Sequence, residues 1–122
     1  MTAFFDLSSS SIIFPELAGA IIIGPDGAIA KCGLSAAARA AATKPPLICH
    51  RRWTEARLNT TIERAFDVLE LFAFVRPARF CLPTPAGLAV RLGLPRPQTN
   101  QDRAVMIGTA AQLLLDELTH KP

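Results

Sequence analysis

Residues 18–32 read Ala18-Gly19-Ala20-Ile21-Ile22-Ile23-Gly24-Pro25-Asp26-Gly27-Ala28-Ile29-Ala30-Lys31-Cys32. A β-branched run, a Pro-Asp-Gly turn and a second short run predict a β-hairpin over this stretch. Upstream, residues 1–17 contain Phe4, Phe5, the serines Ser8 to Ser11, Phe14 and Pro15, and hold neither a helical nor a strand period. They read as an extended lead-in, with the domain proper over 18–120. Downstream, the alanine-rich segment Ser35 to Ala42 predicts a helix with Ser35 as its N-cap, stopped by Lys44-Pro45-Pro46. Leu47 to His50 reads as a brief strand buried on both faces, and an Arg-rich helical stretch follows over Thr54 to Leu58.

The second half is more strongly punctuated. Asp67 is placed to cap a helix running to Val75, with Glu70 as the reciprocal capping partner and Phe66 and Leu71 as the apolar staple. Thr84 as N-cap, Pro85 in the first turn and Gly93 just past the end bracket a short helix. Asn100 is the expected cap of a last helix, whose Ile107, Ala111, Leu114 and Leu118 share one face. The order of hairpin, helix, strand and several helices predicts an α/β domain, a small sheet with its hairpin covered by helices.

With 122 residues the chain is one domain in size, and its 50% apolar content excludes intrinsic disorder. The 19% charged share lies below the roughly 25% of ordinary soluble domains, which leaves room for a surface covered by a partner. No apolar stretch approaches the ~20 residues of a membrane span, and no basic N-terminal region suggests a secretory signal, so a cytoplasmic location without membrane contact is expected. The end at His120-Lys121-Pro122, directly past a helix, marks the expected start of a linker into a longer protein.

Nine of the 13 bases lie between residues 51 and 103, and ten of the 13 are arginine, whose planar fork of donors suits phosphate. Cys32, Cys49 and Cys81 form no Cys-x-x-Cys pair, so zinc and dithiol sites are not expected. Cys49 and His50 are adjacent and on a strand would point to opposite faces, so buried reduced thiols are the better reading.

From about Pro45 to Leu118 the chain resembles the N-terminal domain of bacterial DinG-like ATP-dependent DNA helicases. The most specific stretch is Phe66-Asp67-Val68-Leu69-Glu70-Leu71-Phe72-Ala73-Phe74-Val75-Arg76-Pro77-Ala78-Arg79, continued by Pro83-Thr84-Pro85-Ala86-Gly87-Leu88 and Leu92-Gly93-Leu94. The resemblance implies a reduced ribonuclease-H-like fold, a degenerate DnaQ-like exonuclease of the four-carboxylate type. That chemistry needs acids holding two divalent ions, and a His or Tyr near the attacking water. Carried over position by position, the first motif has only Asp6-Leu7-Ser8 as candidate, with its glutamate lost. The second falls on His50-Arg51-Arg52-Trp53-Thr54-Glu55, retaining His50 and Glu55, and a following element matches Asp67-Val68-Leu69. The third maps to Gln101-Asp102-Arg103-Ala104-Val105-Met106, where Gln101 replaces histidine and Met106 the metal-binding aspartate.

The resemblance therefore implies a non-catalytic accessory domain, docking on helicase motor domains in the same chain or on a repair partner. No metal or other cofactor is expected in this chain; ATP and magnesium would belong to motor domains downstream, since no phosphate-binding loop with its lysine occurs here. An alternative is a single-stranded DNA module using the old groove through Arg51, Arg52, Arg57 and either Arg76 or Arg79, with Trp53 stacking on a base. Trp53 equally suits an amphipathic residue closing the core. A third possibility is a residual metal-dependent exonuclease with Asp6, Glu55 and Asp102 as ligands.

Overall fold

The computed structural model describes residues 9–120. Its strands are β1 (Ile12–Pro15), β2 (Ala20–Ile23), β3 (Ile29–Cys32), β4 (Leu47–Ile48) and β5 (Phe66–Asp67). The helices are α1 (Leu34–Thr43), α2 (Arg51–Leu58), α3 (Val68–Val75), α4 (Pro85–Leu92) and α5 (Asn100–His120). The strands form one sheet in the order β3-β2-β1-β4-β5. β1, β2 and β3 make an antiparallel meander, whereas β4 runs parallel to both β1 and β5.

Alternation across the pleat sends successive residues to opposite faces. Ile13, Ala20 and Ile48 join Ala37 and Ala41 of α1 and Leu58 of α2 in one core. Phe14, Ile21, Ile23 and Leu47 join Val68 and Leu71 of α3, Leu88 of α4 and Ile107, Ala111 and Leu114 of α5 in the other. The domain is thus a sheet between two helical layers, an α/β architecture as expected. Among the described residues no helix is long and apolar enough to cross a membrane.

The hairpin lies where the sequence placed it, with Ala20 opposite Cys32 and Ile23 opposite Ile29. Gly27 sits in the left-handed region at φ 89° and donates to the Gly24 carbonyl, while the Asp26 carboxylate receives the Ala28 amide. The extended lead-in requires correction, because residues 12–15 of it supply β1, the middle strand of the sheet. Flanked on both sides and both faces, β1 has no polar alternation to betray it. Pro15 closes it where β4 has already turned into α2, so its missing N–H deprives no central ladder.

Three helix starts also differ. Gly33, with no side-chain cap, precedes α1, so Ser35 lies inside the helix. α2 begins at Arg51, three residues before its expected start, with His50 as N-cap. At α5 the cap is Thr99, whose Oγ1 accepts from the Asp102 amide, and Asp102 Oδ2 returns to accept from the Thr99 amide. This reciprocal pair leaves the Asn100 side chain free for another role. The caps of α3 by Asp67 and of α4 by Thr84, and the end of α4 at Gly93, are as expected, although Glu70 stands exposed and does not return to the cap among the described residues.

Candidate functional site

β1 and β4 run parallel, and a crevice opens past their carboxyl ends, a common position for ligands in α/β sheets. The crevice has a volume of about 520 Å³ and is walled by the ends of both strands, the first turns of α2, α4 and α5, and the residues before α4. Glu16, His50, Trp53, Arg57, Asn100 and Arg103 supply its polar and aromatic lining.

Each of these side chains is held by the local fold. Glu16 follows β1, and its amide donates to the Gly19 carbonyl at 2.7 Å in the turn toward β2. Its carboxylate accepts from Asn100 Nδ2 at 3.1 Å and lies 3.7 Å from Lys31 Nζ. Asn100 Oδ1 in turn accepts from Arg103 at 2.8 Å, one turn along α5. From the other wall, Arg57 donates to the Glu16 carbonyl at 3.1 Å and places its guanidinium 5.7 Å from the centre of the Trp53 ring. Trp53 also meets Phe14 at 5.6 Å between ring centres and remains 37% exposed, so it is both the edge of the core and a wall of the crevice.

His50 has a left-handed backbone at φ 67°, uncommon for a residue with a Cβ, and its Nδ1 accepts from the Trp53 amide at 3.1 Å. That bond occupies Nδ1 and leaves Nε2 as the ring nitrogen available to the crevice. The loop is held by Asp67, whose buried carboxylate accepts from the His50 and Arg51 amides at 3.1 and 2.9 Å and from the Leu69 amide at 2.9 Å. Asp67 is therefore a clasp between the N-termini of α2 and α3 and not a crevice residue.

The other expected positions disperse. Asp6 lies outside the described residues. Glu55 accepts from the Ile62 amide at 2.7 Å and pairs with Arg51, whose guanidinium also donates to the Ile62 carbonyl. Arg52 is exposed beside Glu55, so neither Arg51 nor Arg52 lines the crevice, whereas Trp53 and Arg57 do. Gln101 is exposed, and Met106 is buried beside a separate hollow that also takes in Asp102. Arg76 and Arg79 line a different hollow again. Sequence reasoning missed Glu16, Asn100 and Arg103. The i, i+3 spacing of Asn100 and Arg103 is the local signal for that pair, whereas the degenerate motif points to Gln101 and Met106 instead.

Two divalent ions do not fit this donor set. Glu16 is the only acid among the crevice-lining residues, it is already shared by Asn100 and Lys31, and Arg57 and Arg103 face the same space. Among the described residues no three His, Cys, Asp or Glu side chains gather to hold a metal. Cys49 lies on the crevice floor, but burial foremost, and the Asp67 charge after it, push its thiol far above the usual cysteine range. Both effects disfavour the thiolate, the form that acts as a nucleophile. Cys32 and Cys81 are partly exposed, which corrects the expectation that all three are buried. A chromogenic thiol reagent should accordingly count two thiols in the native chain and three after denaturation; rapid labelling of Cys49 without unfolding would contradict its enclosure.

No protein-family model, curated protein or solved structure gives a significant match to this chain.

Proposed function

We propose that the chain is a non-catalytic accessory domain of a DinG-like DNA helicase, a reduced ribonuclease-H-like framework whose crevice holds single-stranded DNA without cutting it. The observation that carries this reading is the crevice lining, where arginines and a tryptophan stand around a single acid already engaged by Asn100 and Lys31. Metal-dependent cleavage requires clustered carboxylates, whereas retention of a strand requires guanidinium forks for phosphates and an aromatic face for a base. Supporting it, the antiparallel meander with its first strand at the centre, extended by two parallel strands reached through helices, is compatible with a ribonuclease-H-like domain. Three free thiols fit a reducing compartment such as the cytoplasm.

Anisotropy titrations with labelled oligothymidine test the proposal. Arg103→Glu should weaken binding at least about tenfold and flatten its salt dependence by about 0.7 per lost phosphate contact. Trp53→Ala should weaken it by about 1–3 kcal/mol, the usual range for one stacked base. Arg51→Ala and Arg52→Ala should leave affinity unchanged, since neither lines the crevice. Full affinity in a folded Arg103→Glu protein would refute strand binding in the crevice.

A second reading, docking on motor domains, is favoured by apolar side chains that are more than half exposed. Phe74, Phe80, Leu82 and Val90 are 54–66% exposed within one stretch of the chain. Such docking would persist at high salt, where strand binding fades. Calorimetry against a motor fragment at high salt separates the two.

A further inference from the structure

The arginines at the far end of α3 do not join the crevice, and they form a place of their own. Arg76, at the end of α3, donates to both oxygens of Glu117 on α5 at 2.8–3.3 Å and to the carbonyl of Arg91 at the end of α4 at 3.0 Å. One guanidinium thus ties three helices together, and its charge is matched by Glu117. The chain then turns sharply through Pro77 and Ala78, with the Arg79 amide returning to the Arg76 carbonyl at 3.3 Å. Ala78 adopts φ 65°, a left-handed conformation that a residue with a Cβ holds only when its surroundings impose it.

The turn closes a hollow of about 710 Å³ with Val75 and Pro77 in its walls and Arg79 and Arg91 at its rim. Arg76 and Glu117 also line the hollow and pair with each other, and neither Arg79 nor Arg91 has a side-chain hydrogen bond or ion pair among the described residues, so the hollow carries a surplus of positive charge. Two guanidiniums bordering one hollow, Arg79 just past the turn and Arg91 in the last turn of α4, suit an anionic phosphate.

We infer that this hollow is a second phosphate site, taking backbone phosphodiesters of the same single strand that enters the crevice; the inference rests on the crevice reading above. Both sites touch α5, at Arg103 and at Glu117. Fourteen residues of helix separate these two, about 21 Å along the axis. Stacked nucleotides advance about 3.4 Å per strand position, so roughly six are needed to bridge the gap, within the 4–16 usual for single-strand binders. A trinucleotide cannot engage both.

The test compares dT12 with dT3 on the folded chain. In the double variant Arg79→Ala/Arg91→Ala, dT12 should bind about five- to tenfold more weakly, with a salt slope shallower by about 1.4, while dT3 is unaffected. Arg103→Glu should weaken both oligonucleotides. Unchanged dT12 affinity in the double variant overturns the inference and leaves the crevice reading intact. Equal losses for dT3 and dT12 overturn it too, as does inorganic phosphate binding that depends on Arg79 and Arg91 while dT12 does not, which marks a free-anion site. Loss of dT12 in the double variant with full affinity in Arg103→Glu would remove the crevice reading and keep the hollow.

Discussion

Asp67→Ala is expected to destabilise the domain by about 3–5 kcal/mol, a large part of the 5–15 kcal/mol typical of a folded protein. Asp67 is 6% exposed, and its carboxylate accepts from three backbone amides, those of His50, Arg51 and Leu69. Those amides lie at the starts of two helices, where N–H groups lack intrahelical partners and the helix dipoles favour a negative charge. A hydrogen bond to a charged group contributes about 1.5–3 kcal/mol, and a buried donor left without its acceptor costs about 1–3 kcal/mol; the three bonds share one carboxylate, so their sum is discounted. Asp67→Asn keeps one acceptor oxygen and should lose roughly half as much. The consequence reaches the crevice, because the same clasp holds His50 in its left-handed conformation and sets where α2 presents Trp53. Chemical denaturation followed by fluorescence of Trp53, the single tryptophan, reports both stability and ring environment. A loss below about 1 kcal/mol would show that Asp67 is an ordinary cap of α3.

That clasp also shows what could be read in advance. The cap of α3 was legible because Asp67 and the Leu69 amide are two residues apart. The bonds to His50 and Arg51 span 17 and 16 residues, so nothing local announced them or the early start of α2 that they enforce. α4 was legible at both ends, since Thr84, Pro85 and Gly93 act on their own helix. β1 was hidden for the opposite reason: a four-residue strand with neighbours on every side draws all its stabilisation from residues remote in sequence. The crevice followed the same divide. Trp53 and Arg57 came from reading α2, while Glu16 acquired meaning only once β1 existed and α5 crossed its end. At α5 a local signal exists, for Thr99 and Asp102 have the spacing of a reciprocal cap, although the neighbouring Asn100 is also a favoured cap residue and competes with it in sequence.

Gly87→Ala is the second large effect, and it connects stability to the crevice wall. Gly87 lies in the first turn of α4 and donates its amide to Thr84 Oγ1 at 3.0 Å. Its importance comes from proximity, since an added Cβ would stand 2.3 Å from the Leu82 carbonyl oxygen and 2.7 Å from Leu82 Cβ. Alanine is the better helix former by about 1 kcal/mol, so propensity alone predicts stabilisation. Sterics reverse the sign, because the obstacle is backbone held by the Thr84 amide, which donates to that same carbonyl at 2.8 Å. Overpacking a tight site costs about 1–3 kcal/mol, and displacing the cap adds about 1 kcal/mol. A net loss of about 2 kcal/mol is expected, or roughly 8 °C in melting temperature for a domain of this size. Pro83, Thr84 and Pro85 form one wall of the crevice, so the retreat of Leu82 should weaken dT12 binding even where the variant remains folded. Leu82→Gly in the same chain removes the Cβ at 2.7 Å but not the carbonyl at 2.3 Å, and should restore little of either property. Full recovery in that double variant would place the clash on the side chain, and an unchanged melting temperature for Gly87→Ala would mean the 82–84 segment yields without cost and does not brace the wall.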